Sequence, residues 1–124
     1  MFNKDFKTIS DIEKAFPSEQ VCVYHIENIR WNKEIISPFD IESKVYNCRG
    51  NRYKCKNTGK YFNAKTGTIF DNSKIPLQKW FIAIWVFKIN KNERYIKNLN
   101  EYLKVTPKTL LFMSERINSC FSFD

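Results

Sequence analysis

Tyr53 to Phe81 reads YKCKNTGKYFNAKTGTIFDNSKIPLQKWF, and the change of period inside this stretch decides the fold. Its first half is made of short strand-like runs, Tyr53-Lys54-Cys55 and Tyr61-Phe62-Asn63. Thr58-Gly59 and Thr66-Gly67-Thr68 are turn signals between and after them, the second leading to Ile69-Phe70. In the second half the pattern becomes helical. Pro76 suits a first helical position. Leu77 to Ile89 is apolar nearly all round, as in a central helix with neighbours on most sides.

Working upstream, Lys44–Cys48 and Arg52–Cys55 flank Gly50-Asn51, a hairpin signal in which Gly supplies a positive φ. A two-residue loop there sets Cys48 opposite Tyr53 and Tyr46 opposite Cys55, with all four on one face. Ile35-Ile36 reads as a brief strand before Pro38. Further forward, Phe2 to Trp31 is helical: Ile9, Ile12 and Phe16 recur at helical spacing until Pro17. Ser18 then serves as an N-cap, with Glu19 and Gln20 in the first turn. Val21, Cys22, His25, Ile26 and Ile29 form one apolar stripe.

Downstream, Asn90 to Asn92 is a break, and Tyr95, Ile96, Leu99 and Leu103 outline a helix within 93–103. Thr106 caps a last helix with Pro107 at its first position; Leu110, Leu111, Met113, Ser114 and Ile117 carry it to about Cys120. The expected fold class is α+β: a helical segment over 1–33, a small antiparallel sheet over 34–72, and a helix-turn-helix-type unit over 73–121, packed as one compact domain.

The charge is uneven. Net charge is +8, but residues 1–42 carry five Lys/Arg against eight Asp/Glu, and Ser43 to Phe70 contains no acid at all. Such a basic block suits a polyanion. The longest apolar run, Trp80 to Phe87, is too short to span a bilayer. With a mixed polar start and four scattered cysteines, the expectation is a cytoplasmic protein with free thiols and no membrane contact. No Gly-rich phosphate loop, nucleophile elbow or second histidine is present, so no enzyme activity is expected.

The block Thr66-Gly67-Thr68-Ile69-Phe70, the run Lys74, Pro76, Lys79, Trp80, Phe81, and the later Lys108, Thr109, Phe112, Met113, Arg116, Ile117 resemble the DNA-binding front of bacterial insertion-sequence transposases that carry an N-terminal zinc ribbon. The resemblance covers roughly residues 16–121. It departs at Lys104 and Asn100, where that family often has Gly and a small residue. It implies a zinc ribbon followed by a helix-turn-helix, with the family's catalytic carboxylates in a downstream domain. Four cysteines bind zinc in that family. Here the corresponding positions are Ser37, Asp40, Cys55 and Thr58, and one Asp with one Cys cannot close a structural site. No metal and no cofactor are therefore expected. A substitute ligand set, Cys22, His25, Cys48 and Cys55, exists on paper, against a core-packing reading of each. Without metal, Phe39, Tyr46, Tyr53, Tyr61 and Phe62, backed by the central helix, would have to hold the ribbon together.

The expected partner is double-stranded DNA. Arg49, Arg52, Lys54, Lys56 and Lys60 would contact it from the ribbon, and Thr106, Lys108, Thr109 and Arg116 from the last helix, with base reading by Thr106, Lys108 and Thr109. The alternative is a protein-interaction or structural module, or a regulator of a related mobile element, pairing with itself or with a full-length transposase.

Overall fold

Thr8 opens the first helix because its hydroxyl takes the Asp11 N–H at 3.2 Å while the Asp11 carboxylate takes the Thr8 N–H at 3.0 Å. That reciprocal capping box starts α1, Ile9–Ala15, and Pro17 separates it from α2, Glu19–Trp31. A computed structural model describes residues 6–91 and 96–120. The chain is mixed α+β: the described residues form five helices and a three-stranded antiparallel sheet of order β1-β2-β3. It divides into two compact units: Met1–Glu19 with Ile75–Asp124, and Gln20–Lys74.

The first unit is helical. α3 spans Leu77–Ile84 and continues through Trp85–Ile89 as a wider turn of π type, closed by the Asn90 N–H on the Trp85 carbonyl at 2.8 Å. Pro76 is not its first residue, as the sequence led us to expect, but its N-cap, with a non-helical ψ of 138°. Pro offers no side-chain cap. The Glu19 carboxylate instead accepts the Leu77 N–H at 2.8 Å, and Gln78 donates to the Phe16 carbonyl at 2.9 Å. α1 is thereby tied to α3, with Phe16 and Phe81 edge to face at 4.9 Å. Ile9, Ile12 and Phe16 are buried, as are Leu77 and Trp80 to Val86, which fits a helix apolar on every side.

α4, Leu99–Leu103, and α5, Pro107–Cys120, complete this unit, with Leu99, Leu103, Met113 and Ile117 buried. Leu111, expected to continue the apolar face of α5, is exposed, and so is Ile96. Tyr95 and the start of the helix expected at Glu93 lie outside the described residues. Lys104 holds the left-handed conformation, φ 57°, that ends α4. Its N–H reaches the Glu101 carbonyl and that of Val105 the Asn100 carbonyl, the paired bonds of a Schellman ending. Thr106 then caps α5 as expected, accepting the Thr109 N–H at 3.0 Å.

The second unit packs the sheet on α2. β1 is Val45–Asn47, β2 Tyr53–Cys55 and β3 Tyr61–Phe62. Ile35-Ile36 forms no strand; it runs as a loop into Pro38. The hairpin register also differs from expectation. Val45 pairs with Cys55, Tyr46 with Lys54 and Asn47 with Tyr53. Cys48 donates its N–H to Arg52, so Arg49 is an extra residue ahead of Gly50 and Asn51, whose φ values are both positive, 71° and 60°. One inserted residue moves every β1 side chain to the other face. Tyr53, Cys55 and Phe62 are therefore buried with Val45 and Ile35 packed against them, while Tyr46 and Tyr61 face outward.

Trp31 of α2 caps this small core, edge to face with Tyr53 at 5.8 Å and with Phe62 at 5.9 Å. Glu27, one turn earlier, accepts a hydrogen bond from the Tyr53 hydroxyl. Burial, together with Glu27, pushes the Tyr53 phenol up to about 12. Of the five aromatics expected to replace a metal, Tyr53, Phe62 and Phe39 meet, the last at 6.2 Å from Phe62. Tyr46 and Tyr61 do not. Among the described residues, no helix is long and apolar enough to cross a membrane.

Candidate nucleic-acid interface

The outward face of the sheet brings Arg52 and Lys54 together on Tyr61. Alternation along β2 puts Tyr53 and Cys55 inward and therefore Lys54 outward. Lys54 pairs with Tyr61 across β2 and β3. The Lys54 ammonium lies 5.5 Å from the Tyr61 ring centroid, and the Arg52 guanidinium lies 4.2 Å from it. Tyr46, opposite Lys54 on β1, extends the same face and is 46% exposed. Arg49 stands exposed at the hairpin tip, which Asn51 ties to Gln20 of α2 at 2.7 Å. Lys56 and Lys60 are exposed on the turn that joins β2 to β3, Lys60 resting over Phe39 at 5.2 Å. Arg52 and Lys54 thus flank Tyr61 on the outward face, Arg49 and Lys56 are exposed on the adjoining turns, and Lys60, opposite the inward Cys55 and over Phe39, lies on the other side. Tyr61 was absent from the sequence-derived set. Its signal there was its place one strand position from the basic run.

Two further residues were missed. Arg30, near the end of α2, donates to the Ala64 carbonyl at 3.0 Å; burial lowers its pKa, and the nearby Asp71 charge opposes that. It latches α2 to the 63–67 turn and packs closely on Gly67, where an added Cβ would sit 3.4 Å from its guanidinium. Lys65 spends its ammonium on the Ser73 carbonyl at 3.0 Å. Both are cations used for architecture.

The four positions where the resemblance places metal ligands do come together. Ser37 is buried, and its hydroxyl oxygen accepts the Phe39 and Asp40 N–H groups at 3.0 and 3.3 Å. Asp40 reaches across to the Asn57 amide at 2.9 Å, and the Asn57 N–H reaches the Ser43 hydroxyl at 2.9 Å. The Asn57 amide lowers the Asp40 pKa most, and after it the Glu42 N–H at 3.0 Å. Cys55 lies inside this ring of hydroxyls. Burial raises its pKa, but hydrogen bonds from Ser37, Ser43 and Thr58 outweigh that and bring it to about 6. The Ser43 hydroxyl also lies 2.8 Å from the Lys44 carbonyl. Hydrogen bonds thus join the two turns.

The substitute ligand set is not assembled. Cys48 pairs with Arg52 on the outward side, whereas Cys55 points inward. Cys22 is fully buried on α2 beside Ile26, and Ile29, expected on the same stripe, is 54% exposed. Among the described residues, no group of three or more His, Cys, Asp and Glu is arranged to hold a metal ion.

On α5, Thr106 and Thr109 face each other, the Thr106 hydroxyl donating to that of Thr109 at 2.9 Å. Capping thus occupies both hydroxyls; Thr106 and Lys108 are exposed and Thr109 is half-buried. Arg116 lies farther along, its guanidinium 4.8 Å from the Phe112 ring.

The chain is 30% identical over 102 residues, or 78% of its length, to a protein of Halobacterium salinarum described as an uncharacterized protein in transposable element ISH50. It spans about a third of that protein, 34%. No family model matches the chain, and no solved structure does.

Proposed function

We propose that the chain is a non-catalytic DNA-binding protein of a mobile element, built like the zinc-ribbon and helix-turn-helix front of an insertion-sequence transposase with hydrogen bonds in place of the metal. The observation that carries this reading is the outward sheet face. Arg52 and Lys54 converge on Tyr61, Arg49 and Lys56 are exposed on the adjoining turns, Lys60 adds charge from the Phe39 side, and no acid lies between Ser43 and Phe70 to neutralise them. Phosphates of a duplex are the matching partner, and contacts of this kind position a protein without reading sequence. Lys108, at the exposed start of α5, is the residue best placed to approach base edges, with Arg116 a supporting phosphate contact. Kinship with a protein in a transposable element supports the mobile-element setting.

Binding to duplex DNA over a salt series tests the proposal. Log K should fall with log salt by about 0.9 per phosphate contact. Lys54→Ala or Lys56→Ala should weaken binding to every sequence and flatten that slope by about one unit. Lys108→Ala should instead lower the preference for a best site, by about 1–3 kcal/mol if it contacts a base.

A second reading is favoured by one observation. Leu111 and Phe112 are 59% and 40% exposed, side by side on α5. They suit an interaction module that pairs with itself or with a full-length transposase. No measurable DNA affinity at about 50 mM salt, where screening is weak, would replace the first reading with this one.

A further inference from the structure

We infer that the open cleft beside Tyr61 takes an unpaired nucleotide of a DNA strand, its base stacked on the Tyr61–Arg52 pair. The inference rests on the DNA-binding reading and adds a ligand class to it. The cleft has a volume of about 380 Å³ and is lined by Arg52, Tyr61, Asn63, Asp71, Asn72 and Lys74, among others. That is near the lower end of the ~300–1,000 Å³ usual for small-ligand sites, which suits one nucleotide better than a groove-spanning helix.

Its chemistry is mixed in the way a nucleotide requires. Tyr61 is 49% exposed and offers a π surface, with the Arg52 guanidinium carbon 4.2 Å from the ring centroid. Aromatic rings and guanidinium planes are the two groups on which unpaired bases stack. Lys74 is exposed at the rim, where it can meet a phosphate. The side-chain oxygen of the exposed Asn63 accepts the Lys65 N–H at 2.8 Å, which leaves its amide nitrogen as a donor. The Asn72 amide is exposed and makes no hydrogen bond among the described residues. The Asp71 carboxylate is held by the Gly67 N–H at 3.1 Å and sits near the Arg30 charge, so the lone acid of the cleft is balanced from within. A paired base presents only its edge to a protein surface, so a ring standing out of a sheet gains full stacking only from an unpaired base.

The test is anisotropy titration of the whole chain with four probes: a short oligothymidylate, a blunt duplex, the same duplex with one bulged thymidine, and thymidine monophosphate. Wild type, Tyr61→Phe and Tyr61→Ala are compared, with thermal melts confirming that both variants fold. Tyr61→Ala should weaken the oligothymidylate and the bulged duplex by about 5- to 150-fold, the range of one lost base stack. Any effect on the blunt duplex, whose phosphate contacts share Arg52 and Lys54, should be at least about fivefold smaller than that, and Tyr61→Phe should match wild type throughout. A 2-aminopurine placed at the bulge should be quenched by wild type and not by Tyr61→Ala. Equal weakening of all three DNAs, or none, overturns the inference while the duplex reading stands. Monophosphate binding as tight as the strand also overturns it, in favour of a free-nucleotide site. Absence of binding to every probe overturns both readings.

Discussion

Ser37→Ala is the substitution that most directly tests whether hydrogen bonds hold the two turns of the sheet unit together. The Ser37 side chain is 1% exposed and serves three partners: it accepts the Phe39 and Asp40 N–H groups and donates to the Cys55 sulfur. Each amide bond is worth about 1 kcal/mol net, and a donor left without an acceptor costs about 1–3 kcal/mol. Both amides are only partly buried, so water recovers some of that cost. The expected loss is about 2–3 kcal/mol, a large share of the ~5–15 kcal/mol typical of a folded domain. A second readout follows from Cys55. Its folded pKa, about 6, lies below its ordinary 9.0, so folding favours the thiolate. That contribution is complete above the unfolded pKa, shrinks as pH falls, and is gone below the folded one. Urea melts of wild type should therefore gain stability from about pH 6 to about pH 9 relative to Cys55→Ala, and Ser37→Ala should show a smaller gain. A Ser37→Ala protein within about 0.5 kcal/mol of wild type, with an unchanged pH profile, would refute the argument, because a surface substitution costs no more than that.

Three other outcomes are expected. Tyr53 has a folded pKa raised to about 12, so its bond to Glu27 stabilises fully below its ordinary 10.0 and is lost as pH rises through 12; alkaline melts of Tyr53→Phe should lack that fall, at a cost of about 1–2 kcal/mol near neutrality. Lys104→Gly should raise stability by about 0.5–1 kcal/mol in a chemical melt, since Lys104 holds a left-handed φ of 57° that glycine adopts without steric cost. Thr106→Ala should lower the stability of the helical unit by about 1 kcal/mol through loss of the α5 cap, and thermal melts would register it without DNA.

Much of the helical half was legible because its signals are local. The α5 cap at Thr106, the break at Pro17 and the all-round apolar character of Leu77 to Ile89 depend on neighbours in sequence; the first two stand in the structure, and the third holds for Leu77 and Trp80 to Val86, while Ile89 is exposed. The exception is instructive. Pro76 looked like a first helical residue because the position has a free N–H to lose. The chain instead begins α3 one residue later and recruits Glu19, 58 positions away, to receive the first amide. No local pattern announces a cap supplied from that distance. α2 shows the same limit on a helix face. Its apolar stripe pointed to Cys22 and Ile26, which are buried, but the face that meets the sheet is the Glu27–Trp31 face one turn apart. A glutamate on that face reads as solvated until the Tyr53 hydroxyl is known to meet it.

The sheet was the harder reading, and one residue decided how the surface came out. Gly50 and Asn51 do form the left-handed turn that their sequence advertises. Arg49 joins them as an insertion, and the side-chain period of a strand is two, so a single extra residue exchanges inside for outside along β1. The apolar pattern could not warn of this, because Tyr46 and Cys48 are as plausible inside as Val45. The burial of Val45 against Tyr53 and Cys55 settles the register, and its consequences run to function. Cys48 leaves the neighbourhood of Cys55, which dissolves the substitute ligand set. Tyr46 joins the outward face with Lys54 and Tyr61. The basic residues were readable as a charge block from the sequence alone. The convergence of Arg52 and Lys54 on an exposed aromatic ring was not, because it depends on β2 and β3 being paired Lys54 to Tyr61 rather than one position either way. That pairing turns a diffuse positive charge, which would attract any polyanion, into a surface with a stacking platform.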